Sequence, residues 1–273
     1  MRVLVEYQII SGRTVEKRRS YINMRKPGEQ PKGRAPRVAG STSEKKLKQN
    51  RDAAAKCLAQ TLNCNTQPRD LHMINRYNNE HLPNNYEEAE ALIKKVIGKA
   101  RYKFKKTYGR NPKIVWNTAD WSPKHNCPAR LHHHIVAEAA AEEALRAAWD
   151  EMELGDYSVN FLDSRADHSE LAAYLIANVT DAPNRKKYHC TRNMDKPIIT
   201  EPVPVEDVEA IQLPKDAVMQ EFLHNTDAEG HIASSYMRYT LPVRPYVRGG
   251  KIVMPRPERR KAMKKEKERD SEK

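Results

Sequence analysis

The run Arg130-Leu131-His132-His133-His134-Ile135-Val136-Ala137 sets three imidazoles side by side. It lies between Cys127-Pro128 and an acidic, alanine-rich segment, and it reads as a strand. A strand turns successive side chains to opposite faces. Arg130, His132, His134 and Val136 therefore share one face, and Leu131, His133, Ile135 and Ala137 share the other. Two imidazoles two residues apart on a rigid strand can aim two nitrogens at one divalent metal. The plain alternative is a histidine cluster that binds nothing. A third reading is a tetrahedral zinc module drawn from His125, Cys127, His132, His134, His189 and Cys190, with the spacing H-x-C followed by H-x-H.

The elements that must position these groups are short and mixed. Residues 2–10 alternate weakly and end at Ser11-Gly12, the pattern of a strand and turn. Residues 23–40 hold Pro27, Gly28, Pro31, Gly33, Pro36 and Gly40 among basic residues, the composition of an extended cationic arm. Ser41-Thr-Ser-Glu44 is a capping box opening a basic helix to Leu62. Residues 69–77 read as a strand. Ala89, Leu92, Ile93, Val96, Ile97, Ala100 and Phe104 mark one helix face, with Asn85 as its cap. Strands follow at 113–118 and 157–162, with residues 119–129 as a loop. Helices follow at 138–152, closed by Gly155, and from Asp167 through Asn178. Residues 205–224 carry helical hints without a firm period. Residues 256–273 form a charged tail with little to bury, expected to be disordered.

This order implies an α+β domain, a mainly antiparallel sheet with helices chiefly on one face. Hydrophobic residues make up 38% of the 273, enough for one core of moderate size. The net charge of +13 points to a polyanionic partner, nucleic acid before membrane. No apolar run approaches the roughly 18 to 20 residues of a spanning helix, so no membrane role is expected. The first residues lack the order of a signal peptide, and the four cysteines have no CxxC spacing. Reduced thiols in a cytoplasm are the expectation.

Several stretches carry a resemblance in their shared order. They are Asn50-Arg-Asp-Ala53, Asp70-Leu-His-Met-Ile-Asn-Arg-Tyr77 with His81-Leu-Pro83, and Lys113-Ile-Val-Trp-Asn-Thr118. After these come Arg130-Leu-His-His-His-Ile-Val136, Trp149, Leu171-Ala-Ala-Tyr-Leu175 and Cys190-Thr-Arg-Asn-Met-Asp-Lys-Pro197. Over roughly residues 40 to 200 the chain resembles the HUH endonucleases, the rolling-circle replication initiators. In particular it resembles the replication-associated proteins of small phages and integrated elements, which are related to filamentous-phage replication proteins.

The resemblance implies a five-stranded antiparallel sheet with flanking helices over residues 41–200. Around it lie the strand and basic arm of residues 1–40, a C-terminal extension over 201–255 and the tail. It implies nicking of one strand of origin DNA, with a divalent metal (Mg or Mn) as cofactor, in the cytoplasm of a bacterial host. Single-stranded or origin DNA would be the partner, with host replication proteins beside it. By matching position, His132 and His134 are metal ligands and Tyr174 is the nucleophile, while His133 turns away.

Three positions depart from the family pattern. Ala119 stands where a ligand glutamate is usual, and Asp120 takes that role if the strand bulges by one residue. Arg76 stands where a small hydroxyl residue is usual, and Ala177 where a lysine follows the tyrosine. Arg76, Lys186, Lys187, Arg192 and Lys196, with Arg185, would bind phosphates. Tyr188 or His189 would stack on an unpaired base. A protein that keeps the fold for DNA binding while nicking is weakened or lost is the alternative.

Overall fold

The histidine strand lies at the centre of a sheet and is covered on both faces. The computed structural model describes residues 2–23, 43–182, 185–227, 229–248 and 251–253. In chain order the first elements are β1 (Arg2–Ser11), β2 (Thr14–Asn23), α1 (Glu44–Asn65), β3 (Leu71–Tyr77), α2 (Tyr86–Tyr108), β4 (Ile114–Ser122) and β5 (Cys127–Ala137). Then come α3 (Glu142–Asp150), β6 (Gly155–Phe161), α4 (Ser169–Ala177), β7 (His189–Cys190), β8 (Ile198–Ile199) and β9 (Val203–Pro204). The last are β10 (Val218–Thr226), β11 (Ile232–Thr240), β12 (Tyr246–Arg248) and β13 (Lys251–Val253). The chain divides into two units, residues 23–198 and residues 2–22 with 199 onward.

The first unit holds a five-stranded sheet in the order β6-β3-β5-β4-β7. Every pairing in it is antiparallel. This is the α+β architecture the sequence implies. One expectation is corrected: helices cover both faces of the sheet, not chiefly one. Leu71, Met73, Ile114, Ile135 and Ala137 pack against Ile93, Val96, Ile97 and Phe104 of α2 and Leu145 and Trp149 of α3. On the other face Val115 and Val136 pack against Leu58 and Leu62 of α1 and Ala172, Leu175 and Ile176 of α4. Burial of both faces explains why β5 ends in a run of apolar residues rather than in strict alternation. The segment 119–129 is also shorter as a loop than expected, because β4 runs to Ser122 and β5 starts at Cys127.

Local chemistry sets the helix ends. The Asn85 side chain accepts from Glu88 N at 2.9 Å, and Gly109 closes α2 in the left-handed region. α1 is capped by Ser43, which accepts from Lys46 N, so the cap lies two residues later than Ser41. Gly155 has φ +139°, and a Cβ there would collide with the carbonyl of Arg76. β6 can lie against β3 at that point only with glycine.

The second unit is built from the two ends of the described chain. Its main sheet runs β10-β11-β2-β1-β8, with β9 also on β1. Ile10, Val15, Ile211, Met237, Tyr239 and Leu241 form its core. The opening strand and the C-terminal extension, expected as separate regions, thus share one sheet. The helical hints over 205–224 give way to the strand β10. The basic arm lies almost wholly outside the described residues, and the charged tail wholly outside them. Among the described residues no helix is long and apolar enough to cross a membrane.

His133 shows how tightly β5 is fixed on the α2 side. It is fully buried, with Nε2 2.6 Å from Tyr77 Oη and Nδ1 3.2 Å from Thr118 Oγ1. Tyr77→Phe leaves one nitrogen of a buried imidazole without a partner. The expected cost is about 1–3 kcal/mol, read as a lower urea midpoint, and an unchanged midpoint would show that this bond does not stabilise the sheet.

Candidate active site

Register brings the polar residues of three strands onto the α1/α4 face. Directly opposed residues in antiparallel strands share a face. Ile74 of β3 and Asn117 of β4 flank His134, and Arg76 and Ala119 flank His132. His72 lies opposite Val136, two pairs further along and next on the same face.

The helix α4 sits above them because β4 holds its last turn. Asn117 Nδ2 donates to Leu175 O at 2.6 Å, and Asn178 Nδ2 donates to Tyr174 O at 2.6 Å. The backbone amides of Asp120 and Trp121 donate to Asn178 O at 3.0 and 3.1 Å. Tyr174 is thereby presented edge-on to His134, with ring centroids 5.3 Å apart, and to His72 at 6.4 Å. Its helical neighbour Leu175 is buried, but Tyr174 is 45% exposed. This removes the reading of Tyr174 as a core residue. An open cleft of about 720 Å³ is lined by Arg76, Arg130, His132, His134, Asp156 and Tyr174, among others.

The two imidazoles that line this cleft, and His72 behind His134, are kept neutral by burial. Burial lowers the pKa of His132 below its ordinary value. Burial takes His72 to about 4 and His134 to about 2, the latter helped by the neighbouring imidazoles. His132 Nδ1 lies 2.8 Å from Arg130 O. A carbonyl only accepts, so the proton sits on Nδ1 and Nε2 keeps a lone pair. His134 Nδ1 lies 3.1 Å from His72 Nε2, while His134 Nε2 is buried with no partner among the described residues. Two neutral imidazoles with Nε2 uncommitted suit a divalent cation. Other positions on such an ion would be left to phosphate oxygens and water.

Asp120, expected as a ligand if the strand bulges by one residue, has both carboxylate oxygens engaged by the chain after α4. The strand pairing does shift between Ala119 and Trp121, but the carboxylate is occupied. Oδ1 accepts from Thr180 N at 2.8 Å and Oδ2 pairs with Arg185 Nη1 at 2.6 Å. Asp120 anchors the chain that leaves α4. The carboxylate that lines the cleft is Asp156, opposite Arg76 in the sheet register.

Of the expected phosphate contacts, only Arg76 joins the histidines. Lys187 donates to Val179 O at 2.6 Å and pairs with Asp181 at 2.6 Å. Lys186 is exposed beside α2, in a separate depression with Tyr86, Glu90 and His189. Arg192 and Lys196 are exposed but do not line the cleft. Tyr188 packs into the α1/α4 core, and His189 stacks on Trp116 and bonds Glu90 at 2.7 Å, so neither stands ready for a base.

The zinc set is not gathered. Among the described residues the only His, Cys, Asp and Glu donors that converge in a group of three or more are Asp227, Glu229 and His231. They lie at the exposed turn between β10 and β11, where Asp227 Oδ1 accepts from the amides of Glu229 and His231.

No local feature of the sequence marks His72. Its alternation with Ile74 and Arg76 was readable, but the register that sets it beside His134 was not.

Comparisons with family models, with curated proteins and with solved structures return no match for this chain.

Two expectations follow. Asp120→Ala should lower stability by about 1–3 kcal/mol and leave Mn²⁺ affinity within about twofold. A tenfold loss of Mn²⁺ affinity at unchanged stability would return Asp120 to a ligand role. The second concerns acid. The unfolded chain protonates histidine near pH 6.5, whereas the fold keeps His72 neutral to about 4 and His134 to about 2. The unfolded state therefore binds more protons, and stability present above about pH 6.5 is lost as pH falls below it. Each imidazole contributes at most about 1.4 kcal/mol per pH unit. Urea midpoints at pH 7.5 and 5 should fall in that order, and equal midpoints would contradict the burial of these rings.

Proposed function

We propose that this chain is a rolling-circle replication initiator, an endonuclease that nicks one strand of origin DNA through Tyr174. The observation that carries the reading is the edge-on approach of the Tyr174 ring to His134 in an open cleft shared with His132 and Arg76. With the histidine strand and its resemblance, this supports a phosphodiester substrate.

The chemistry is a transesterification. Tyr174 Oη attacks the phosphorus, and an Oη–P bond forms as the P–O3′ bond breaks. The phenol proton passes to solvent, and the leaving 3′ oxygen gains one from water. A diester is exchanged for a diester, so the step is reversible and a later 3′ hydroxyl can reseal the strand. A divalent ion held on His132 and His134 would polarise the non-bridging phosphate oxygens. Arg76 offers its guanidinium to the same phosphate. The fastening of α4 to β4 keeps the phenol in place, so orientation is set before substrate arrives. The excess of basic residues attracts the strand, with affinity that falls as salt rises. Such a protein would work in the cytoplasm of a bacterial host with host replication proteins.

The engagement of Asp120 and the alanine at 177 favour a second reading, a single-strand-binding protein with slow or lost nicking.

The test is a labelled set of single-stranded hairpins with Mn²⁺, run on a denaturing gel. Wild type should carry label into the protein band, and Tyr174→Phe should abolish it while still binding DNA. Tight binding with no adduct under any metal would leave the second reading in place of the first.

A further inference from the structure

The two candidate ligands are not oriented in the same way. His132 has its tautomer dictated by Arg130 O, an acceptor with no alternative role. His134 faces another imidazole, and a ring nitrogen of His72 can donate or accept. Only one arrangement leaves His134 useful to a cation. If His72 Nε2–H donates, the His134 proton sits on Nε2, buried and without an acceptor among the described residues. If His134 Nδ1–H donates, Nε2 carries a lone pair.

We infer that His72 is a positioning residue for the metal: it accepts from His134 Nδ1–H and so fixes Nε2 as the nitrogen offered to a divalent cation. The inference rests on the reading of His132 and His134 as ligands.

Geometry separates this role from that of a third ligand. No ligand group that includes His72, His132 and His134 converges among the described residues. His72 instead stacks on His134, with centroids 5.2 Å apart, and lies in a T-shaped arrangement with the Tyr174 ring, centroids 6.4 Å apart. It is 9% exposed and lies two register pairs from His134, the next position on the same face. A partner that orients a ligand imidazole through its second nitrogen acts from this kind of position. One side chain thus neighbours both the ligand ring and the ring proposed as nucleophile.

The test compares His72→Leu, which fills the space without an acceptor, with His72→Gln, whose Oε1 can accept from Nδ1–H. Mn²⁺ affinity is read by titration of the free ion's EPR signal, with melting curves alongside. His72→Leu should weaken Mn²⁺ binding by about 10- to 100-fold, and His72→Gln should recover most of that loss. Long-range ¹⁵N NMR of wild type loaded with Mg²⁺ should find the His134 proton on Nδ1. Wild-type affinity in His72→Leu, equal weakness in both variants, or a proton on Nε2 would overturn the inference. His132→Ala separates the two levels. If it abolishes Mn²⁺ binding while His72→Leu does not, only the role of His72 falls. If wild type binds no Mn²⁺, or binds it equally without His132, the ligand reading falls and takes this inference with it.

Discussion

The period of two along β5 is the constraint on which the rest depends. Because both faces of this strand are covered, each residue from His133 to Ala137 must fit one of two packed layers. His133 is locked between Tyr77 and Thr118 on the α2 side. That bond pattern prevents a slip of one residue, which would carry His132 and His134 to the wrong layer. The middle histidine therefore sets the register that aims the outer two. Ile135, Val136 and Ala137 continue the pattern as apolar packing, so the strand is stable at one end and polar toward the other.

A second constraint fixes the distance to the phenol. α4 is only nine residues long, too short to hold a position by its own hydrogen bonds. Its apolar side rests on Leu58, Leu62 and Val136. Its last turn is tied to β4 through Asn117, Asn178 and the amides beside Asp120. Asp120 then holds the outgoing chain through Thr180 and Arg185. These contacts lie on the strand that neighbours the histidines. The geometry between Tyr174 and His134 thus depends on one pair of adjacent strands.

Much of this was legible in the residues. The stripe from Ala89 to Phe104 and the Asn85 cap gave α2, because helix faces and caps are local properties. The alternation around His132 and His134 was local too. What failed was tertiary. Asp120 has the composition of a ligand, and only the fold brings Thr180 N and Arg185 to its two oxygens. His72 needed the register of β3 against β5. β10 was missed because Val218, Met219, Phe222 and Leu223 are all exposed on an edge strand, so neither period is imposed on its sequence. Lys187 has the type and position of a phosphate contact, but Asp181 and Val179 O hold it.

The most direct measurement is anomalous diffraction from crystals grown with Mn²⁺. A manganese peak is expected within coordination distance of Nε2 of both His132 and His134, on the face that carries Tyr174. A peak only at the exposed Asp227, Glu229 and His231 turn, or none near the histidine strand, would contradict it.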